Sequence, residues 1–334
     1  MTRVPPGRWF RMGIPWAMRT FVADGGGGVF RHETVLRDEA LRWLAPAAGK
    51  LFIDLTLGGG GHSEGLLEAG AEVVGFDRDP AALAAATARL ARFGGRFRAV
   101  ASNFARFGTK AAELDLPPVD GILMDLGVSS PQLDEAERGF SFLRDGTLDM
   151  RLGPDTGTTA ADLVNGLPEA ELAALFREYG EEPQARRAAR AVVARRSRGR
   201  IATTVELASC LEDALGRHGG HHPATRVFLA LRLAVNRELE SLGEALAQVA
   251  AWLRPGGRLV VITFHSLEDR VVKRFIREHS APEIDRPEWP SPRPNPACHF
   301  RDLTRHPVVP ADEETRRNPR ARSAKLRAAE RRQP

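Results

Sequence analysis

The sequence predicts an α/β fold on a mostly parallel sheet, interrupted after its fourth strand by a helical insertion. Three observations predict it. Short apolar runs alternate with helical patterns from Val29 to Leu126, as parallel strands covered on both faces require. Roughly ninety residues after Pro131 then carry helix patterns without a buried strand. The alternation resumes with Arg258–Phe264, a run of type RLVVITF.

The elements follow in order. His32–Leu44 reads as a helix. Leu51–Thr56 (LFIDLT) is a short buried strand, ended by Gly58–Gly61. Ser63–Ala69 reads as helix, Glu72–Phe76 as a second strand ending at Asp77. Pro80 opens an Ala-rich helix to about Arg92, since proline suits a first helical position. Arg96–Ala101 is a third strand and Val119–Leu126 (VDGILMDL) a fourth. The insertion holds helix patterns near Glu169–Tyr179, Gln184–Arg196 and Thr203–Leu215, with Thr203 or Thr204 before Glu206 as an N-cap. One long helix is expected over Ala224–Leu253, stopped by Pro255-Gly256-Gly257. The fifth strand is Arg258–Phe264, followed by a helix over Ser266–His279. The expected units are an extension over 1–29, a first part of the α/β domain over 30–131, a helical insertion over 132–222, and a second part over 223–334. The last contains a Pro-rich loop at 281–300.

Residues 1–29 are Arg-rich and acid-poor, with Trp9, Trp16 and the run Gly25–Gly28. They contain no continuous apolar core of a secretory signal. Pro5, Pro6, Gly7, Gly13 and Pro15 spoil the amphipathic helix of an organellar presequence. The stretch reads as a disordered extension, or an overlong start with Met12 and Met18 as alternatives.

Composition narrows the function. With 43% hydrophobic residues in 334 the chain has ample material for a core. No apolar run approaches the roughly 20 residues that span a bilayer. A formal net charge of +5 and a pI near 9.8 favour an anionic partner, nucleic acid first; a GC-rich genome that spends arginine freely explains the same charge. Two distant cysteines, Cys210 and Cys298, exclude a disulfide framework and point to a reducing compartment, the cytoplasm. No CxxC or HExxH pattern occurs, and His221-His222 is an isolated pair, so no metal site is expected.

Open parallel sheets bind ligands at the carboxyl ends of their strands, where the strand order reverses. Three such ends carry candidate chemistry. Gly58-Gly59-Gly60-Gly61-His62 follows strand one, and glycine lets backbone approach a ligand closely. Asp77, at the end of strand two, is placed to accept hydrogen bonds from both ribose hydroxyls of an adenosine-containing cofactor. Asp125 ends strand four and precedes Leu126-Gly127-Val128-Ser129-Ser130-Pro131-Gln132. The glycine run lacks the third glycine of the dinucleotide fingerprint, which favours a cofactor without a pyrophosphate. No Gly-Lys-Ser/Thr follows it, which excludes a P-loop.

At this point the residues resemble a known family. Gly58–Ser63, Phe76-Asp77-Arg78-Asp79-Pro80, Asp125–Asp134, Glu137–Phe142, Leu148-Asp149-Met150-Arg151 and Tyr179-Gly180-Glu181-Glu182 carry the resemblance. So do His222-Pro223-Ala224-Thr225-Arg226, Phe264–Arg270 and Asn318–Ser323. In order, from about residue 31 to 331, they resemble the ribosomal RNA small subunit methyltransferase H family, also called MraW. The stretch Gly216–His221 and the extension over 1–29 depart from the family pattern.

The resemblance implies a class I S-adenosylmethionine-dependent methyltransferase fold, Rossmann-like, with the helical insertion. It implies methylation of the N4 amine of a cytidine, position 1402 in customary numbering, in 16S rRNA of the small ribosomal subunit. It implies cofactor contacts at Gly60, Gly61, His62, Asp77, Phe104, Asp125 and Gln132. Methyl transfer to an exocyclic amine needs a hydrogen-bond acceptor for the NH₂ and in-line geometry. No cysteine nucleophile is needed, and neither cysteine lies in a strand-end motif. Many amino-methyltransferases carry Asp/Asn-Pro-Pro-aromatic after strand four, and this chain does not. Two readings therefore stand at Asp125. In one, Asp125 or a backbone carbonyl near Gly127–Ser129 accepts the amine proton, helped by Ser129 or Ser130. In the other, Asp125 only binds cofactor and the serines shape the turn.

The remaining candidates have plainer alternatives. His265 with Glu268 and Arg270 reads as a salt-bridged cap at strand five or a substrate contact. Arg186, Arg187, Arg190, Arg195, Arg196 and Arg198 do not share one helical face, so a solvated surface competes with phosphate contact. Arg320, Arg322, Lys325 and Arg327 carry the same two readings. Competing functions are a nicotinamide-dependent oxidoreductase, which the glycine pattern disfavours, a non-catalytic assembly factor, and a small-molecule methyltransferase, which the basic pI disfavours.

Overall fold

A computed structural model describes residues 34–217 and 222–333, so the extension over 1–29 and most of Gly216–His221 lie outside it. Seven strands form one sheet: β1 (Leu51–Asp54), β2 (Glu72–Asp77), β3 (Phe97–Ala101), β4 (Val119–Asp125), β5 (Leu253–Thr263), β8 (Phe300–Asp302) and β9 (Lys325–Arg331). The order is β3-β2-β1-β4-β5-β9-β8. The first five run parallel, and β9 is antiparallel to both β5 and β8. A two-stranded hairpin of β6 (Glu283–Ile284) and β7 (Arg293–Pro294) stands apart.

Helices α1 (Arg37–Leu44), α2 (Gly61–Glu68), α3 (Pro80–Leu90) and α4 (Phe107–Glu113) belong to the first half. Between β4 and β5 lie α5 (Ser130–Asp134), α6 (Ala160–Gly166), α7 (Glu169–Glu178), α8 (Ala185–Arg196), α9 (Thr204–Leu215), α10 (Ala224–Asn236) and α11 (Glu238–Trp252). Helices α12 (Ser266–Ser280) and α13 (Asp312–Arg317) complete the chain. Among the described residues no helix is long and apolar enough to cross a membrane.

The apolar runs account for the sheet. Phe52, Ile53, Val73, Phe76, Ile122, Leu123, Val260 and Ile262 are all buried, because helices cover both faces. Two clusters of buried side chains lie against the sheet. A third runs from Phe140 to Val235 and joins α6–α10 around Phe176, Leu207 and Phe228. The caps follow local chemistry. Asp79 caps α3 by accepting from Ala81 N–H at 3.0 Å, with Pro80 at the first position. Thr203, not Thr204, caps α9 in a reciprocal box with Glu206.

Several expectations need correction. Of the helix expected over His32–Leu44, His32 and Glu33 lie outside the described residues, and within them it begins at Arg37, because Leu36 adopts a left-handed φ of 52° and gives its N–H to Glu314 Oε1 at 2.8 Å. The single helix over Ala224–Leu253 is two, broken at Arg237 with φ 49° and ψ 44°. The break is fastened by Asn236, whose Nδ2 donates to Met150 O at 2.7 Å while its Oδ1 accepts from Leu152 N–H at 2.9 Å. Arg232 and Glu238 span it with two hydrogen bonds of 2.9 Å. Strand five starts at Leu253, and its pairing with β4 jumps from Val119↔Leu253 to Gly121↔Arg258, so Arg254–Gly257 bulge out of register. The Pro-rich stretch 281–300 contains the β6–β7 hairpin and the start of β8.

The basic C-terminal segment is an interior strand. Arg327 is buried and its Nε donates to Asp269 Oδ1 at 2.6 Å, while Lys325 Nζ lies 3.2 Å from Asp269 Oδ2. These two residues are structural ion-pair partners, not free phosphate contacts. In the insertion, Arg195 pairs with Glu206 at 3.1 Å and Arg196 Nη1 donates to Val164 O at 2.7 Å.

Candidate active site

The strand order reverses between β1 and β4, and a cleft opens at their carboxyl ends. Its lining includes Leu57–Gly59, Gly61, His62, Asp77, Phe104, Asp125–Ser129, Gln132 and Phe264. Thr34, Arg78, Asn318 and Arg320 close it from other parts of the chain.

The glycine loop is shaped by packing on both sides. Gly60 is left-handed, φ 80°, and a Cβ there would lie 3.0 Å from Leu90 Cδ1, so this glycine lets α2 approach α3. Gly61 opens α2, and a Cβ on it would fall 1.9 Å from Thr34 Oγ1. Gly59 has open space where a Cβ would stand, leaving its backbone accessible from the cleft. Of the two predicted contacts, Gly61 lines the cleft, whereas Gly60 faces α3.

Asp77 joins this loop to the end of β2. Its Oδ2 accepts from Gly58 N–H at 2.8 Å and its Oδ1 from Asp79 N–H at 2.9 Å. Each carboxylate oxygen keeps acceptor capacity for a pair of vicinal hydroxyls. Burial pushes the Asp77 carboxyl up, against the lowering effect of those backbone bonds. Phe104 begins a short 3₁₀ turn and is a partly buried apolar surface on the same side of the cleft.

Gln132 does not point freely into the cleft. Its Oε1 accepts from Ser129 N–H at 2.8 Å and its Nε2 donates to Asp79 Oδ2 at 2.8 Å. Arg138 Nη1 donates to the same Asp79 oxygen at 2.7 Å. Burial would raise the Asp79 carboxyl, but these two partners hold it below the usual range. Gln132 thereby locks the loop after β4 to the cap of α3. Ser129 lines the cleft, and Ser130 begins α5, with its side chain outside the described part of the structure.

Asp125 and His62 meet where the strand order turns. Asp125 N–H donates to Thr56 Oγ1 at 2.5 Å, which ties the ends of β1 and β4 together. His62 Nε2 lies 3.4 Å from Asp125 Oδ2, too poorly aligned for a hydrogen bond. Beneath them Asp54 is buried, its Oδ2 accepting from Ser63 O–H at 2.7 Å and its Oδ1 from Thr56 N–H at 3.1 Å. Burial pushes the Asp54 carboxyl up despite these bonds and the nearby His62. Among the described residues, six buried side-chain polar atoms lack a hydrogen-bond partner. Four of them belong to cleft residues: both ring nitrogens of His62, Oδ1 of Asp125 and Nη1 of Arg320. Such groups cost about 1–3 kcal/mol each when unmatched, and their clustering marks a site built for a polar ligand.

His265 is a cap. It closes α12 in a box with Glu268, whose Oε2 accepts from Phe264 N–H at 2.9 Å. Arg270 pairs instead with Glu181 at 2.8 Å, alongside Ser266 O–H to Glu181 at 2.6 Å. Sequence reasoning gave no cleft role to Thr34, Thr56, Arg78 or Arg320. Arg78 is tied to Asp155, Thr156 and Asn236 O, so it joins the sheet to the insertion.

The model of the MraW methylase family matches residues 29–332. The chain belongs to the MraW methylase family. It is 54% identical over 304 residues, 90% of this chain and 98% of the other, to the ribosomal RNA small subunit methyltransferase H of Anaeromyxobacter sp. strain K. The protein of that name in Geobacter sulfurreducens is 51% identical over 313 residues, covering 90% and 99% of the two chains. The one in Thermomicrobium roseum is 51% identical over 304 residues, covering 90% and 93%. This MraW-family member is therefore a methyltransferase, with S-adenosylmethionine as methyl donor.

Proposed function

We propose that this protein transfers the methyl group of S-adenosylmethionine to the exocyclic N4 amine of a cytidine, position 1402 in customary numbering, in 16S rRNA. The substrate is the small ribosomal subunit, and the place of action the cytoplasm. The observation that carries the reading is the unpartnered Asp125 Oδ1 beside His62 at the end of β4, within a cleft of MraW-family residues.

The residues fit the donor. Asp77 offers acceptor capacity for the two ribose hydroxyls, Phe104 an apolar face for the adenine, and Gly58–Gly61 a backbone surface without side chains in the way. When bound, the donor supplies an electrophilic methyl group on a sulfonium. Everything else falls to the chain. The exocyclic amine is a weak nucleophile because its lone pair is delocalised into the ring. Asp125 Oδ1, accepting a hydrogen bond from that NH₂, localises the lone pair and takes the proton as the N–C bond forms and the methyl–sulfur bond breaks, its electron pair leaving with S-adenosylhomocysteine. His62, packed against the same carboxylate, holds it in place. The loop Gly127–Ser129, fixed by Gln132, forms the wall against which the base is oriented, and orientation alone can lower such a barrier by about 7–11 kcal/mol. A base enzyme must hold its target out of the stack, and the insertion begins directly after β4, where it walls the cleft through Leu152.

The test is methyl transfer from labelled S-adenosylmethionine to small subunits lacking the modification, followed by nucleoside analysis. Label is expected as N4-methylcytidine. Donor binding without label in RNA would overturn the substrate assignment.

A further inference from the structure

We propose that Arg320 is an oxyanion anchor of the cleft, its Nη1 donor taking a carboxylate or phosphate oxygen of what binds there. The proposal rests on the methyl-transfer reading. It goes beyond that reading by giving a ligand contact to a residue far from the strand ends in sequence. Arg320 lines the cleft. Its Nη2 donates to Asp134 Oδ1 at 2.8 Å, which fastens one edge of the guanidinium to α5. Its Nη1 is shut off from solvent and has no partner. Surface arginines turn their free donors to water, so a shielded empty donor on a cleft wall is a different situation.

The turn that carries it is hydrogen-bonded and seated on buried residues. Arg320 sits in a 3₁₀ turn, Pro319–Ser323, where its own N–H donates to Asn318 Oδ1 at 3.3 Å. Ala321 and Ala324 beside it are buried. The other cleft arginine, Arg78, has its donors taken by Asp155, Thr156 and Asn236 O. Arg320 is thus the arginine in the cleft wall with a shielded donor to spare. An unsatisfied acceptor lining the same cleft is Asp125 Oδ1. An acceptor for an amine and a donor for an oxyanion in one cleft match two sources. One is the amino-acid end of the cofactor. The other is a target nucleotide, with its exocyclic amine and its phosphate. Guanidinium geometry suits either oxyanion.

Three full-length variants separate the possibilities: Arg320→Gln, Arg320→Lys and Asp134→Asn. Affinity for S-adenosylhomocysteine is measured by calorimetry, and KM for unmodified small subunits at several salt concentrations. Arg320→Gln is expected to weaken one of the two at least tenfold. Loss of homocysteine-nucleoside affinity with an unchanged subunit KM assigns the cofactor carboxylate. Unchanged affinity, with a raised subunit KM and a salt slope shallower by about 1, assigns the phosphate. Asp134→Asn, which leaves Nη1 in place, should stay within twofold of wild type in both. If Asp134→Asn reproduces the loss, Arg320 merely ties α5 down and the proposal is overturned. It is overturned equally if Arg320→Gln, or Arg320→Lys should the first variant not fold, leaves both quantities within twofold. Wild-type enzyme run on the same subunits reports separately on the methyl-transfer reading, because failure there produces no N4-methylcytidine while the calorimetric arm still reads Arg320.

Discussion

His62 Nε2 stands 3.4 Å from Asp125 Oδ2, although His62 lies in the first turn of α2 and Asp125 ends β4. Their meeting follows from the β1–β4 pairing, Asp54 opposite Leu123, which carries the start of α2 up against the end of β4. The histidine is only 5% exposed and lacks a hydrogen bond at either nitrogen. Its ring thus lies against the Asp125 carboxylate without a hydrogen bond to it, in the wall of the cleft.

Asp125→Asn should therefore slow the chemical step. The amide keeps the shape but can no longer take a proton. At saturating cofactor, single turnover on unmodified small subunits is expected to fall by roughly 10²–10⁴-fold, with cofactor affinity changed much less. Normal turnover would leave Asp125 with a cofactor-binding role alone.

Asp77→Asn should act on binding instead. The asparagine retains one acceptor oxygen and turns an NH₂ toward either Gly58 N–H or Asp79 N–H. Hydrogen bonds to charged groups contribute about 1.5–3 kcal/mol, so affinity for S-adenosylhomocysteine should drop about 10–100-fold. Calorimetry reads it directly, and unchanged affinity would remove Asp77 from the ribose site.

The sequence made some of this legible. Strands β1, β2, β4 and the Arg258–Thr263 part of β5 announce themselves by runs of buried apolar residues, and the glycine loop, Asp77 and Asp125 sit at their ends. Pro80 and Thr203 mark helix starts by local chemistry. The break at Arg237 left no such mark. Neither glycine nor proline stands there, and the cause is tertiary, in the bonds from Asn236 to Met150 and Leu152. Strand β9 was hidden for the opposite reason. Lys325–Arg331 is rich in alanine and charge, a poor strand composition, and only its place between β5 and β8 makes it one. For Arg320 the sequence leaves two readings, solvated surface or phosphate contact, because its partner Asp134 lies 186 residues away.

Gly61→Ala tests the loop's packing. The added Cβ would fall 1.9 Å from Thr34 Oγ1 and 3.1 Å from Thr34 Cβ. Overpacking of this kind costs about 1–3 kcal/mol, visible as a lower Tm. Thr34→Ala should recover part of it, since the hydroxyl is the nearer clash. Purely additive effects in the double variant would refute the contact.

Asp54→Asn should have a pH-dependent effect. Burial raises the Asp54 carboxyl above its usual 3.8, so the folded state binds the proton more tightly than the unfolded state. The sign follows from linkage: this group's favourable contribution is complete below the unfolded value and is lost as pH rises through the folded one. Asparagine can still accept from Thr56 N–H and donate to Ser63. The Tm of Asp54→Asn relative to wild type should therefore climb as pH rises from about 4 towards neutrality. A difference that shrinks over that range would show the carboxylate to be stabilised by its neighbours.

Arg327→Ala should destabilise the fold without touching substrate electrostatics. Arg327 lies in β9 opposite Val261 of β5 and holds Asp269 of α12 at 2.6 Å. Burial would raise the Asp269 carboxyl, but Arg327 and then Lys325 outweigh it and hold it below its usual 3.8. Removing one partner of a buried pair costs about 3–5 kcal/mol. The lower end is expected, because Lys325 Nζ remains 3.2 Å from the carboxylate. A depressed carboxyl contributes stability that is present above its unfolded value and lost as pH falls through its folded one, so the deficit of the variant should narrow under acid. Arg327→Met with Asp269→Leu should regain much of the loss, because a packed apolar pair leaves no buried charge and the partly exposed Lys325 ammonium can turn to water. The salt dependence of small-subunit binding should match wild type in every case. A shallower slope would mean that Arg327 reaches a phosphate after all, and that the ion pair with Asp269 opens when RNA binds.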